Sequence, residues 1–400
     1  MNKNKVIFDV IHSFIEVDDI TLSIIDTPEF QRLRNIKQLG VVHYVFPSAN
    51  HTRFEHSLGV YYLAGELISN LKKNQPELEI KDKDILLVKI AGLCHDLGHG
   101  PFSHLLDTIL ECNNKNKFVI HEKRSILILE HIVNKYNINL HKEDIKFIGD
   151  LINPYDLDFS KIDKNKHFLY EIVSNRRNGI DVDKFDYLKR DTFYLGLSFS
   201  LDCSRIIKYV RVIDGKLSYL DKTYYHILEM YEIRNKLHRQ IYKHKTIIGI
   251  ELSIKDIITN YIDLGNFLED PEIFCQYDDN NIFINEINNN KIDNNKIDNN
   301  KINNNKINND KINILLTKIN KREIYKLELE TTTELLKYNF HNKVLKIFDF
   351  GYKESPFKDI YFYNRNDLYK NFNIIKDNLD KTKERIYRVY INPLIYRHNL

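Results

Sequence analysis

A histidine followed directly by an aspartate, His95-Asp96, closes an apolar run from Ile85 to Leu93. Apolar residues fall on every side of a helical projection of that run, so its helix is expected to be buried. Buried charges are paired or bound to a metal, and a His-Asp pair in such a place asks for a cation. Two other segments supply matching ligands. His56 lies in Arg53-Phe54-Glu55-His56-Ser57-Leu58-Gly59, ahead of an amphipathic stretch, and Asp183 follows Gly179 where a helix begins. His56, His95, Asp96 and Asp183 form a two-imidazole, two-carboxylate set that suits a divalent transition metal, Fe, Mn or Zn, and Mg less well. Each residue taken alone reads better as a cap or a surface group; the ordered set with its flanking residues reads as a metal site.

A metal held this way polarises a phosphoryl oxygen and lowers the pKa of water, and nearby acids and bases can then move protons. His99, His104, Asp107, His121 and Glu122 are the candidates. A polyphosphate substrate also needs cations. Arg53, Lys184 and Arg234 lie within a few residues of a ligand or on a helix expected to face the site.

These segments carry a resemblance. Asp26-Thr27-Pro28 with Phe30-Gln31-Arg32-Leu33-Arg34, Tyr44 to Pro47, Arg53 to Gly59, Ala91 to His104, Tyr170 to Tyr187, and Arg234-Asn235 with Leu237-His238-Arg239 resemble the HD-domain metal phosphohydrolases. Within them the chain is most similar to the deoxynucleoside triphosphate triphosphohydrolases that carry a SAM domain beside the HD domain. The likeness runs from about Lys5 to Ile258 and returns more weakly from about Ile312 to Tyr390. Because it starts at residue 5, the SAM domain is expected to be missing here.

The resemblance implies roles. His104, Asp107 and His121 match the family's catalytic cluster, with His99 and Glu122 as secondary members; His104 would protonate the departing 5′ oxygen. Arg53, Lys184 and Arg234 match triphosphate-contacting positions. Gln38, Leu39 and Tyr242 look like the wall that excludes a ribose 2′-hydroxyl, Tyr187 and Asp191 like partners of the 3′-hydroxyl, and His238 shares their side of the site. Lys243 stands where the animal members have a glutamine near the base. Lys5, Asp26, Gln31, Arg34 and Arg205 match a guanine-nucleotide activator site, and Lys222, Arg322 and Lys326 part of a second, deoxynucleotide one. Phe8 and Leu220 depart from the polar or cationic contacts expected there, and Asp26 and Arg34 could instead simply pair with each other. The implied partners are dNTP substrates with Mg on the triphosphate, GTP or dNTP activators, a second copy in a homodimer or homotetramer, and weakly bound single-stranded nucleic acid. An HD-type phosphodiesterase or nuclease, which needs an open groove, and a non-catalytic nucleic-acid-binding protein are the alternatives.

Composition agrees with a globular enzyme. Four hundred residues can bury a large core, and 42% hydrophobic with 29% charged residues excludes a disordered or membrane-spanning class. A net charge of +3 gives no argument for nucleic acid. Cys94, Cys112, Cys203 and Cys275 show no CxxC spacing, as in a reducing compartment. No apolar run approaches a membrane span or a signal-peptide core, so the expected location is intracellular, nucleus or cytoplasm.

The elements that must position these residues are mainly helical. Asp183, Tyr187 and Asp191 recur every fourth residue and share a face, as do Arg234, His238 and Tyr242, whose helix shows a core stripe of Met230, Ile233, Leu237 and Ile241. Near the C-terminus Val344 to Phe350, Asp359 to Tyr363 and Arg385 to Ile391 read as strands, and Leu368 to Thr382 as a helix. The expected architecture is mainly α: an HD-domain helical catalytic body over residues 1–279 and a small α+β lobe over 314–400. Between them lies an Asn/Lys/Ile tract, 280–313, in which Lys291, Lys296, Lys301, Lys306 and Lys311 recur every fifth residue. That period turns about 140° per repeat on a helix, so its isoleucines share no face and a disordered insertion is expected.

Overall fold

The structure is a computed structural model that describes residues 5–113, 119–262, 270–283, 299–335, 343–350, 356–373 and 384–392. A hairpin of β1 (Lys5–Asp9) and β2 (Ser13–Val17) leads into two short helices, α1 (Asp19–Ile25) and α2 (Pro28–Gln31). The helical body follows: α3 (Arg53–Asn74), α4 (Asp82–Cys94), α5 (His104–Asn113), α6 (His121–Lys135), α7 (Lys142–Ile152) and α8 (Val182–Tyr194). After α9 (Ser204–Tyr209) come α10 (Tyr224–Leu237) and α11 (Lys245–Tyr261). Thr52 and Glu55 box the start of α3, where Glu55 accepts from the Thr52 amide at 2.9 Å. Leu87, Val88, Ile90, Ala91 and Leu93 of α4 are all buried, as its all-round apolar pattern requires.

The C-terminal strands form two sheets. β3 (Arg211–Ile213), β4 (Lys216–Leu220), β7 (Tyr361–Asn364) and β8 (Asp367–Phe372) are ordered β3-β4-β7-β8, and β4 runs parallel to β7 with Ser218 opposite Tyr361. The expected lobe boundary is therefore crossed by one sheet. β5 (Lys326–Thr331), β9 (Glu384–Ile391) and β6 (Lys343–Phe350) form the other, packed through Phe348, Phe350, Ile386 and Tyr390 on Ile248 and Leu252 of α11.

Three expectations change. Leu368–Phe372 is strand, not helix, because β8 pairs antiparallel with β7; residues 374–382, which the same helix was to cover, lie outside the described residues. The Asn-rich tract is folded at both ends: Ile282 and Phe283 are buried, and a helix spans Asn299–Asn320 with Ile312 and Ile319 buried. The seven-residue spacing of Ile312 and Ile319, about two turns of helix, brings those two apolar residues onto one side, which a five-residue period does not reveal. Residues 284–298 of the tract lie outside the described residues. The face shared by Arg234, His238 and Tyr242 is also not a straight α ladder, since His238–Tyr242 is π-helical.

Gly98, between the His95-Asp96 pair and α5, touches α6 so closely that a Cβ would lie 2.1 Å from the His121 carbonyl oxygen and 2.4 Å from the Ser125 amide. Both obstacles are backbone, so neither can rotate away. Gly98→Ala should destabilise the fold by roughly 2–4 kcal/mol, read as a lower denaturant midpoint; an unchanged midpoint would contradict this contact.

Candidate functional site

α3, α4 and α8 converge on His56, His95, Asp96 and Asp183. His56 Nε2 lies 3.1 Å from Asp183 Oδ1 and 3.4 Å from Asp96 Oδ2. Buried His95 Nε2 sits 3.4 Å from Asp96 Oδ1 and 3.5 Å from Asp183 Oδ1 and makes no hydrogen bond to either. The far nitrogen of each ring is already engaged: His56 Nδ1 meets Asp186 Oδ2 at 2.7 Å, and His95 Nδ1 meets the Gly92 carbonyl at 2.8 Å. With Nδ1 donating in both, each Nε2 presents its lone pair inward, the arrangement of metal-ligating histidines. Burial opposes a charge on His56, yet Asp183 and Asp186 together pull its pKa up to about 10. The pocket thus favours a positive charge between its carboxylates. His56, His95 and Asp183 can hold one ion together, with an Asp96 carboxylate oxygen 3.4 Å from the Nε2 of each ring. The donor set fits a divalent metal.

Asp186 is the member that the sequence reading missed. It also takes two bonds from Arg190, Nε to Oδ2 at 2.8 Å and Nη2 to Oδ1 at 3.0 Å, and lies 2.7 Å from His12 Nε2. Arg190 continues to Asp9 at the end of β1, and both Asp186 and Arg190 are fully buried. Gly59 on α3 makes room: a Cβ there would lie 1.9 Å from Asp186 Oδ1. The four-residue spacing of Asp186 and Arg190 on α8 was the available signal.

A second cluster lies beside the first. His99, His104, Asp107 and His121 come within range of one another. Asp107 accepts from His121 Nδ1 at 2.9 Å and from Arg124, another residue missed from sequence. Although burial opposes it, the His121 pKa is raised, by Asp107 first and then by Glu122. His99 is buried, stacked on His121 at 3.9 Å and 3.3 Å from Asp96 Oδ1; burial, then Arg53 and His121, hold its pKa well below the usual range, so it is neutral. His104 opens α5 with 71% of its side chain exposed to the cavity. The two residues before it, Phe102 and Ser103, have φ of 60° and 55°. That costly backbone is pinned by the Phe102 amide donating to Asp279 (2.7 Å) and Ser103 Oγ donating to the Lys37 carbonyl (2.8 Å).

Members of both clusters, His95, Asp96 and Asp183 of the first and His99, His104 and His121 of the second, line one cavity of about 530 Å³. Every residue expected to contact substrate also lines it: Gln38, Leu39, Arg53, Lys184, Tyr187, Asp191, Arg234, His238 and Tyr242. Several are already engaged. Arg53 bonds Asp96 (2.5 Å), Ser103 (3.2 Å) and the Gln38 carbonyl (3.1 Å), and Lys184 pairs with Asp181 at 2.9 Å. Asp191 is bonded by Tyr242 Oη at 2.5 Å and by His51 Nε2 at 2.7 Å. His51 was not foreseen; it sits in a loop with no periodic signal. Burial, then Arg234 and Lys243, push His238 down to about 3.

The residues expected at activator sites lie on the surface. Lys5 Nζ is 4.0 Å from Asp26, and Arg34 bonds Gln31 at 2.7 Å while stacking on Phe54, so the alternative Asp26–Arg34 pair is replaced by these two contacts. Arg205, Lys222 and Lys326 are exposed on separate elements, and Arg322 bonds the Tyr44 carbonyl at 2.6 Å. Among the described residues no helix is long and apolar enough to cross a membrane.

Comparison with known proteins agrees with this geometry. The HD domain family model matches residues 53–191, from the start of α3 to Asp191. The chain is 43% identical over 280 residues to the deoxynucleoside triphosphate triphosphohydrolase SAMHD1 homolog of Dictyostelium discoideum, covering 69% of this chain and 54% of that protein. It is 43% identical over 314 residues to the Homo sapiens deoxynucleoside triphosphate triphosphohydrolase SAMHD1, covering 70% and 50%. The chain spans about half the length of these two relatives. Against the Danio rerio protein of the same name it is 35% identical over 449 residues, covering 96% of this chain and 70% of the relative. With the HD model seated on the helices that build the metal-ligand cluster, and with a relative matched over most of both chains, this protein belongs to the SAMHD1 family of HD-domain proteins.

Proposed function

We propose that this chain hydrolyses deoxynucleoside triphosphates to deoxynucleoside and inorganic triphosphate. The observation that carries the reading is the single cavity in which a metal-ligand cluster, a histidine–aspartate cluster and a tyrosine-lined wall face one another. A pocket walled on several sides suits a mononucleotide better than a strand, which favours this reading over a phosphodiesterase or nuclease.

His56, His95, Asp96 and Asp183 would hold a divalent transition metal, Fe, Mn or Zn, whose Lewis acidity polarises the α-phosphate and acidifies water. The remaining work falls to the chain. Arg53, Lys184 and Arg234 place positive charge along the triphosphate, which carries its own Mg. Water's oxygen bonds to the α-phosphorus as the bond to O5′ breaks. His104 delivers a proton to O5′ and regains one from the water, while Asp107, held by His121 and Arg124, orients the His104 ring. His99 and Glu122 border the same cluster. Tyr242, fixed by Asp191, and Gln38 with Leu39 close the sugar end, where a 2′-hydroxyl would lose its water without replacement; Tyr187 and Asp191 face the 3′ side. Lys243 also lines this end of the cavity. Regulation by GTP or dNTP at the Lys5–Asp26–Gln31–Arg34 and Arg205, Lys222, Arg322, Lys326 surfaces, in a homodimer or homotetramer inside the cell, belongs to the same proposal. So does weak binding of single-stranded nucleic acid.

Incubation with each dNTP, with and without GTP, should yield deoxynucleoside and triphosphate; release of pyrophosphate or diphosphate would refute the reaction. Asp183→Ala should lose most of its transition metal by elemental analysis while keeping its helical circular dichroism, and full occupancy would refute the ligand set. Asp186→Asn should weaken metal affinity by about 10–100-fold through loss of the His56 hold, whereas unchanged affinity would make Asp186 purely structural.

The pH profile tests His104. Its recessed setting, with Arg53 and His121, holds its pKa below the usual 6.5 against the pull of Asp107. An acid with a lowered pKa is protonated, and active, only below that value, so kcat/KM should fall as pH rises through it. A docked triphosphate adds negative charge and raises that pKa, so the falling limb of kcat should lie at higher pH than that of kcat/KM. Superimposed limbs would remove His104 from the acid role. Tyr242→Ala should lower the ratio of kcat/KM for dGTP over GTP by about tenfold, the order expected when a buried hydroxyl regains solvent; a wild type with no preference would refute the wall.

A further inference from the structure

A second cavity, of about 460 Å³, opens beside the first, between α10, α11 and β6. Six residues line both spaces: His104, Leu105, Arg234, His238, Lys243 and Glu251. Beyond this shared wall the second cavity has features of its own. Lys255 of α11 and Lys346 of β6 project into it, over an apolar floor that includes Ile248, Leu252, Phe348 and Phe350. No ion pair within 4 Å involves Lys243, Lys255 or Lys346 among the described residues; Lys255 Nζ reaches only Cys112 Sγ, at 3.6 Å. Two carboxylates are present. Asp349 is held by Arg385 at 2.7 Å, and burial pushes the Glu251 carboxyl toward its neutral form although Lys243 and Lys346 oppose this. Burial, then the Lys255 charge, lowers the Lys346 pKa.

Several like charges around one partly walled, apolar-floored space repel one another and focus a positive potential. A folded chain gains nothing from holding them together unless an anion enters. The anion must be compact and multiply charged, because the floor offers no donors and the cations come from two sides. It must also arrive past Arg234, which the two cavities share.

We propose that this chamber receives the inorganic triphosphate released by the reaction, giving the polyanion a path off Arg234 that bypasses the sugar end of the pocket. The inference rests on the proposed hydrolysis for its source of triphosphate and on Lys255 and Lys346, which lie outside the substrate cavity, for its recognition.

The test needs no turnover. The full chain is titrated calorimetrically with inorganic triphosphate, and Lys255→Gln/Lys346→Gln is titrated alongside it. The wild type should bind two triphosphates per chain, one among the substrate cations and one in the chamber. The double variant should bind one, or a second about tenfold more weakly, as expected for loss of charge-assisted bonds. Initial hydrolysis should be within about twofold of wild type, since neither lysine touches the substrate cavity, while inhibition by added triphosphate weakens. Equal stoichiometry and affinity in both proteins would overturn the proposal, as would displacement of the second triphosphate by sulfate at matched ionic strength. Absence of dNTP hydrolysis would overturn the proposed function, whereas a wild type that hydrolyses dNTPs but binds only one triphosphate per chain overturns this inference alone. If the double variant does not fold, Lys255→Gln and Lys346→Gln are each titrated singly, with the same expectations for the second site.

Discussion

The carboxylate of Asp186 ties the metal-ligand cluster to the rest of the molecule. It lies between a ligand imidazole on α3 and the Arg190 guanidinium on its own helix, with His12 of the hairpin on its remaining side. A buried carboxylate is costly unless its lone pairs are filled, and here Arg190 and both histidines fill them. Arg190 in turn requires Asp9, so the chain of bonds ends at β1. The rotamer of His56 therefore depends on the α3–α8 approach that Gly59 permits and on the seating of the N-terminal hairpin. The ligand set lies on helices, but its precision comes from this buried ionic chain.

Strain is held on the opposite side of the cavity. Two consecutive non-glycine residues with positive φ place His104 at the start of α5, and they persist because Asp279 and the Lys37 carbonyl hold the flanking groups. Asp279 also accepts the Lys37 amide at 2.9 Å, so one carboxylate joins the loop that carries Gln38 to the loop that carries His104. Its burial raises its pKa to about 6, against those two amide bonds. A segment at the edge of a low-complexity tract thus helps to shape the cavity.

Charge inside the cavity is largely paired before any substrate enters. Arg53 leans on Asp96, Lys184 on Asp181, and Asp191 is taken by Tyr242 and His51. A polyanion would redistribute these bonds rather than meet bare charges, which keeps reorganisation small and the groups in place. The neighbouring chamber differs, because among the described residues Lys243, Lys255 and Lys346 form no ion pair within 4 Å.

The amino-acid sequence by itself determined the chemistry available. The His95-Asp96 pair at the end of an all-apolar helix, the four-residue spacings on α8, and the histidines that follow are local patterns, and the cavity contains each residue they nominated. Helical periodicity likewise exposed the body of the fold. Tertiary structure decided what local pattern cannot encode. Asp186, His51, Arg124 and Asp279 meet His56, Asp191, Asp107, Phe102 and Lys37 at separations of 17 to 242 residues, and only Asp186 has a periodic signature, its spacing from Arg190. Leu368–Phe372 is strand because β7 offers it a pairing edge, and the ends of the Asn-rich tract fold because Ile282 and Ile312 find the core. The π-turn at His238–Tyr242 similarly re-aims two side chains that an ideal helix would stack. Hydrogen bonds and burial between distant segments set these features, and a one-dimensional pattern contains residue types and spacings but not the partners that satisfy them.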